Sequence, residues 1–169
     1  MIVASGSTGA ALAVRAVSST VPVVVAVGGD PVNYGLASNL RQPDRNVTGV
    51  TFISTELAGK RLSLLREIAP QAKSVAYLSG GPRFLRFENE ATSVTEAANA
   101  LGWQITSAEA KSAYELDDAF AKIVTSLAEA LVVGVVPHFT SNSSKIVHSR
   151  NDLKFQQSIL SAFMLIAVG

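Results

Sequence analysis

The sequence predicts an α/β fold of two lobes, each built on a parallel sheet. Short runs rich in β-branched residues alternate with segments whose apolar residues recur at the helical period, as in sheets covered by helices. Two runs, 22–27 and 130–136, are continuously apolar, which is typical of strands buried on both faces. A polar turn at 41–45 and the short strand after it place the boundary between two Rossmann-like lobes near Thr51.

The same alternation gives each lobe its own series of elements. We predict strands at 2–4, 22–27, 47–51, 74–78, 103–107 and 130–136. We predict helices at 8–17, 33–40, 55–68, 88–101, 115–127 and 140–147. The helix 55–68 has the clearest pattern: Leu57, Leu62 and Leu65 belong to its apolar face, and Arg61 is assigned to the face in water. Thr55 is its expected N-cap.

The composition excludes several classes of function. The chain has no cysteine and two histidines, which excludes a thiolate metal site or a cysteine nucleophile and nearly excludes a histidine metal site. The formal net charge is +1 without a basic block, so the pattern of nucleic-acid binding is absent. The nucleophile elbow, the Walker loop and the dinucleotide fingerprint are absent too. We therefore expect no cofactor, no metal and no enzymatic activity.

The first candidate binding turn, Ser5–Gly9, lies between the first strand and the first helix. Unpaired backbone N–H groups at a helix N-terminus suit a carboxylate or another small anion, and the hydroxyls of Ser7 and Thr8 lie beside them. The alternative is that Ser7 or Thr8 serves only as the helix cap. The residues leave both interpretations open.

The second candidate turn, Gly28–Pro31, follows the second strand. Ligands of open α/β sheets bind at the carboxyl ends of strands, so Gly29 and Asp30 are expected on the same edge as Ser7. There the Asp30 carboxylate could face an ammonium group while the first turn holds a carboxylate, a pair that suits an amino acid. The alternative, which the sequence favours, is that Asp30 caps the short helix after it, with Pro31 at the first helical position.

Two turns of the second lobe occupy corresponding positions. Ser79–Pro82 could close over a ligand, and Phe139 or His138 in the turn 136–140 could stack on it. The alternatives are a flexible surface loop and a structural histidine. His138 is expected to be structural, because a lone histidine is more often a hydrogen-bonded structural residue than a functional one.

Two long stretches resemble ABC-transporter substrate-binding proteins of the uncharacterised or tryptophan-type subfamily. They read VASGSTGAALAVRAVSSTVPVVVAVGGDPVNYGLASNL and NVTGVTFISTELAGKRLSLLREIAPQAKSVAYL, and the resemblance covers roughly residues 1–147. It implies a type I periplasmic-binding-protein fold whose lobes, joined by crossover strands, clamp a solute in a cleft by hinge motion. It also implies a periplasmic location and ABC permease membrane subunits as partners.

The resemblance extends to individual residues that would contact the solute. The matching positions are Ser7, Thr8, Gly29 and Asp30 in the first lobe, Thr51 at the crossover, and Ser79 and Phe139 in the second lobe. Family members usually have an Asn-Pro turn where this chain has Ser79–Pro82, so the second-lobe turn departs from the family pattern.

Both ends depart from the family pattern. Members begin with an export signal and two further β-α units, so we expect a truncated chain with an incomplete first lobe, located in the cytoplasm if made as written. We divide it into a partial first lobe (1–51), a second lobe (52–148) and an atypical tail (149–169). The leading function is capture of a small solute, an amino acid or another small carboxylate, for import. The alternatives are a non-functional remnant and a Rossmann-like enzyme or regulatory ligand-binding domain.

We predict that the tail results from a shifted reading frame. Codons that Ser149–Gly169 permits, read one base out of register from the last base of the His148 codon, can spell LAERLKVPAIYPQRVYVDRGG, which continues the family pattern. Sequencing the gene after codon 148 is the measurement. A shifted frame without a segment of this kind would contradict the hypothesis.

Overall fold

A computed structural model of the chain describes residues 1–42, 45–53, 57–81 and 88–149. The chain divides into two compact units, which we call unit 1 (Met1–Glu56) and unit 2 (Leu57–Gly169). Each unit contains parallel strands and helices, so the predicted α/β fold with parallel sheets is confirmed. No helix within the described residues is long and apolar enough to cross a membrane.

Unit 1 contains a three-stranded sheet and one helix among its described residues. The elements are β1 (Ile2–Ser5), α1 (Thr8–Val17), β2 (Val23–Val27) and β3 (Val47–Thr51). All pairings are parallel, in the order β1-β2-β3. Alternate residues of the central strand, Val23, Val25 and Val27, are buried in one cluster with Ala11 of α1. Val24 and Ala26 between them are partly exposed. The prediction that the run 22–27 is buried on both faces is therefore wrong, and the period of two is what a strand with one face against a helix requires.

The predicted helix 33–40 is wrong, because the structure has a series of turns at 31–35. The N–H of Tyr34 donates to the carbonyl of Asp30 (3.1 Å) and the N–H of Leu36 to that of Pro31 (2.7 Å). Gly35 then adopts a positive φ of 68°, a conformation that ends helices and that glycine adopts without steric cost. Leu36 is nevertheless fully buried, so the turns contribute to the core.

Unit 2 contains the remaining strands and most of the helices. Its elements are α2 (Ala58–Ile68), β4 (Ser74–Ser79), α3 (Glu88–Ala100), β5 (Gln104–Glu109), a 3₁₀ turn (Ala113–Glu115), α4 (Leu116–Thr125), β6 (Ala130–Val133), α5 (Pro137–Ser141) and α6 (Ser143–Ser149). The sheet order is β5-β4-β6, and both pairings are parallel.

The central strand β4 is buried on both faces. Val75 and Tyr77 belong to one apolar cluster, which α2 and α3 cover, whereas Ala76 and Leu78 belong to a second, which α4 covers. Each fully buried large apolar side chain stabilises the fold by about 1.5–3 kcal/mol. Four consecutive buried residues, 75–78, are what the central strand of a sheet packed between helices requires.

The limits of several predicted elements differ from the structure. Leu57, assigned to the apolar face of α2, is half exposed, and the expected cap Thr55 lies outside the described residues. β6 ends at Val133 instead of Val136, because the chain turns at Gly134 and α5 begins at Pro137. Proline is compatible with the first turn of a helix because the N–H it lacks has no partner there.

One face of the sheet in unit 1 is apolar and exposed. Val3 of β1 and Val50 of β3 are 66% and 59% exposed. Both side chains lie on the face of the sheet opposite to the buried residues Ala4 and Val47. Parallel sheets are usually covered on both faces, and exposed apolar strand surface favours association between chains.

We predict opposite results for valine-to-threonine substitutions on the two faces. Val3→Thr should leave the free energy of unfolding within about 0.5 kcal/mol of the unaltered chain and reduce aggregation. Val25→Thr, on the buried face, should lower that free energy by about 1–3 kcal/mol because it buries a hydroxyl. Urea denaturation and light scattering measure the two properties. Equal destabilisation by both substitutions would show that the Val3 face is covered.

Candidate functional site

The sheet of unit 1 brings the turns after its strands to one edge. β1, β2 and β3 run in the same direction, with Ser5 opposite Ala26 and Val27 opposite Thr51. The N–H of Gly6 donates to the carbonyl of Ala26 (2.9 Å), which fastens the first turn to β2. We call this the carboxyl edge of unit 1, and the predicted residues Ser7, Thr8, Gly29, Asp30 and Thr51 lie at it or directly beyond it.

Ser7 is the N-cap of α1, as the capping interpretation predicts. Its Oγ accepts the N–H of Ala10 (3.3 Å), and its backbone is extended. A serine hydroxyl that accepts a hydrogen bond still has a hydrogen to donate, so capping leaves Ser7 able to bind an anion. Thr8 is buried as the first residue of the helix, where the first N–H groups of a helix have no partner within it.

Asp30 also makes a capping contact. Its Oδ1 accepts the N–H of Val32 (2.8 Å) at the start of the turns that replace the predicted helix. An ionised carboxylate has two oxygens and about four acceptor positions, so this bond leaves acceptor capacity for a ligand cation. Asp30 is partly exposed, which keeps its charge close to solvent.

Thr51 and Gly29 join β3 to the second turn. The Thr51 Oγ1 donates to the carbonyl of Gly29 (2.9 Å) and accepts the N–H of Ile53 (3.2 Å). A Cβ on Gly29 would lie 2.0 Å from a ring carbon of Tyr34, so only glycine fits beneath that ring. Thr51 therefore holds the Gly29 turn in place, a role that sequence reasoning missed.

The two predicted turns of unit 2 pack against each other. The N–H of Gly81 donates to Ser79 Oγ (3.3 Å), and a Cβ on Gly80 would lie 2.7 Å from a methyl group of Val136. The turn 79–81 after β4 thus contacts the segment 134–136 after β6, and together they form the carboxyl edge of unit 2. Pro82, which ends the predicted turn, lies outside the described residues.

Phe139 and His138 have structural surroundings. Phe139 is 3% exposed within the cluster that includes Leu116 and Ile146, so stacking on a ligand would require the ring to leave this cluster. Nε2 of His138 donates to the carbonyl of Ala110 (2.8 Å), which agrees with the structural interpretation of this histidine.

A buried ion pair lies close to the carboxyl edge of unit 2, and sequence reasoning missed it. Arg61 of α2 pairs with Glu90 of α3, and the side chains are 15% and 5% exposed. The prediction that Arg61 faces water is wrong, because an acidic partner 29 residues later draws it into the interior. Glu90 also accepts the N–H of Val135 (3.2 Å), and Arg61 Nη1 donates to the carbonyl of Val133 (3.0 Å).

Tyr77 completes this group, which we call the Arg61–Glu90–Tyr77 cluster. Burial raises the pKa of Tyr77 well above its ordinary value, and the charge of Glu90 and a hydrogen bond to it raise the pKa further, while Arg61 opposes them. The phenol therefore remains protonated as a donor to Glu90. Its contribution to stability is complete below the ordinary tyrosine pKa of about 10 and is lost as the pH rises above it.

The described residues contain no group of three histidine, cysteine or acidic side chains that could hold a metal ion. The polar groups at the two edges are hydroxyls, carboxylates and backbone amides. Groups of these kinds can bind a small polar ligand by hydrogen bonds and charge.

A sequence profile described as "ABC transporter substrate binding protein" matches residues 1–157. The chain belongs to this family. No curated protein matches it.

Solved structures have the same fold as this family member. An ABC domain in complex with L-Trp from Streptococcus pneumoniae superposes with a TM-score of 0.72 at 20% identity, over 95% of this chain and 53% of that one. A conserved domain protein from Vibrio cholerae gives 0.76 at 22% identity, over 95% and 53%. A ligand-free, open substrate binding protein with adhesive properties from Clostridium difficile gives 0.54 at 20%, over 91% and 50%. The chain thus spans about half the length of these structures.

We predict that Thr51→Val loosens the carboxyl edge of unit 1. The substitution preserves shape but removes the donor to the Gly29 carbonyl, and loss of one such bond costs about 1 kcal/mol. Thr48→Val on the same strand is the control, since Thr48 is exposed. Urea denaturation of the two variants measures the difference. If Thr48→Val costs as much as Thr51→Val, the hydrogen bond to Gly29 does not hold the edge.

Proposed function

We propose that the chain is the substrate-binding component of an ABC-type importer and captures an amino acid or another small carboxylate without changing it chemically. The observation that carries the proposal is the common position of Ser7 and Asp30, which follow neighbouring parallel strands at one edge. A donor group and an acid are thereby available to the two charged ends of an amino acid.

The solute carboxylate would bind at the Ser7 turn. The first N–H groups of α1 and the Ser7 hydroxyl are donors, and the positive end of the helix dipole favours an anion there. Gly6 and Gly9 carry no side chains that would keep the carboxylate from the backbone.

The solute ammonium group would face Asp30. The Val32 N–H bond fixes the orientation of the Asp30 carboxylate, so less side-chain freedom is lost when a cation binds. The Thr51–Gly29 bond holds the turn from the other side. Gly29 and Thr51 therefore support the acid, Ser7 and Asp30 contact the solute, and the buried Thr8 contributes only its backbone N–H.

Within unit 2, the turn 79–81 is the candidate for a solute contact. Ser79 is partly exposed and lies in a turn that packs against Val136. The core position of Phe139 favours a role in supporting this turn. We place the protein outside the cytoplasmic membrane and in contact with permease subunits, as its family membership suggests.

L-Tryptophan is the first ligand to test, because the structure from Streptococcus pneumoniae is a complex with L-Trp. Titration calorimetry of the whole chain should show saturable binding of L-tryptophan or of another amino acid in a panel. A chain that binds no amino acid and no small carboxylate would contradict the proposed function.

The charge on Asp30 can be tested separately from its cap. Asp30→Asn keeps the oxygen that accepts the Val32 N–H but removes the charge, so binding of L-tryptophan should weaken by about tenfold or more. Binding of indole-3-propionate, which has no ammonium group, should weaken less. The control is Asp117→Asn, a change at an exposed carboxylate on α4. Equal losses for both ligands would rule out a contact between Asp30 and the ammonium group.

A further inference from the structure

We propose that Arg61 and Glu90 are positioning residues of the solute site: their ion pair fixes the backbone of residues 133–135 and, through it, both turns at the carboxyl edge of unit 2. This inference rests on the proposed function, because it assigns those turns to the solute site. Neither side chain needs to touch the solute.

Where β6 ends, the side chains of the ion pair provide the backbone hydrogen bonds that a neighbouring strand would otherwise provide. Beyond Val133 the backbone leaves the sheet, so its polar groups need other partners. Arg61 Nη1 donates to the carbonyl of Val133 (3.0 Å), and the Glu90 carboxylate accepts the N–H of Val135 (3.2 and 3.3 Å). Between them, the N–H of Gly134 donates to the carbonyl of Leu78 (2.8 Å). Three consecutive residues are therefore held by groups from α2, α3 and β4.

Gly134 packs so closely against the cluster that small displacements of the cluster side chains would move the backbone. A Cβ on Gly134 would lie 3.1 Å from both the Tyr77 hydroxyl and the Leu78 carbonyl. Tyr77 in turn hydrogen-bonds to Glu90. The backbone at Gly134 thus lies directly against the cluster, and a shift of the acid or the phenol would move it.

The position of residues 133–135 determines where the turn 79–81 and the segment after β6 lie. Val136 follows at once and packs against Gly80, so the turn 79–81 that carries Ser79 is held through this contact. α5 begins at Pro137 and buries Phe139. A displaced segment 134–136 would change the edge that we assign to the solute, while the core below it remained packed.

Replacing the Arg61–Glu90–Tyr77 cluster with apolar side chains tests whether its hydrogen bonds position the turns of unit 2. Replacing a buried ion pair by apolar side chains of similar volume is often neutral or stabilising, whereas removing one partner is strongly destabilising. The triple variant Arg61→Met/Glu90→Met/Tyr77→Phe therefore removes every polar group of the cluster without leaving a charge unpaired. It keeps the volume but loses the hydrogen bonds to the backbone at 133 and 135.

We expect the triple variant to remain folded, to unfold at a somewhat lower temperature because the Val133 carbonyl and the Val135 N–H lose their partners, and to bind L-tryptophan about tenfold or more weakly. Hydrogen exchange at the Val135 amide should accelerate, whereas exchange at the Gln104 amide, at the amino end of β5, should not change. The matched control is Val75→Ala at the amino end of β4, which creates a cavity and should lower the unfolding temperature without weakening binding.

Arg61→Lys keeps the proposal testable if the triple variant does not fold. Lysine retains the charge that pairs with Glu90 but has one donor nitrogen, so it cannot donate from separate nitrogens to Glu90 and Val133. We expect a folded protein with several-fold weaker binding of L-tryptophan. Unchanged affinity and unchanged Val135 exchange in the variants would overturn the inference alone. Absence of binding to the unaltered chain would overturn the proposed function as well.

Discussion

The parallel pairing of strands is the constraint on which the rest of the structure depends. All pairings among the described strands are parallel, so each sheet has one edge at which the chain leaves its strands together. Backbone groups beyond that edge lose their neighbours in the sheet and must find other partners. In our proposal, the groups that satisfy them either contact the solute or hold the turns that do.

The two units satisfy this requirement with different side chains. Unit 1 uses short polar residues close to the turns: Ser7 and Asp30 accept nearby N–H groups, and Thr51 donates to a carbonyl on the neighbouring turn. Unit 2 uses long side chains from helices, because Arg61 and Glu90 reach the backbone after β6. The unit 1 residues remain near solvent and can meet a solute, whereas the unit 2 pair is buried and can act only through the backbone.

The sequence was sufficient to predict features that depend on local pattern. β3 was predicted with its observed limits, because the Val47–Thr51 run is short and follows a polar turn. The Ser7 cap followed from a hydroxyl placed before a helical segment. The helix predicted at 33–40 failed at Gly35, whose left-handed conformation ends the turns. The burial of Arg61 could not be predicted, since its partner lies 29 residues away.

The central proposal is that a solute binds at the carboxyl edge of unit 1. The most direct measurement is an NMR titration of the whole ¹⁵N-labelled chain with L-tryptophan, in which backbone amide shifts are followed residue by residue. We predict that the amides of Ser7, Thr8 and Gly9 shift together with those of Gly29 and Asp30 and saturate at one concentration. Shifts confined to other residues, or amides of the two turns that respond at different concentrations, would contradict a single solute held between Ser7 and Asp30.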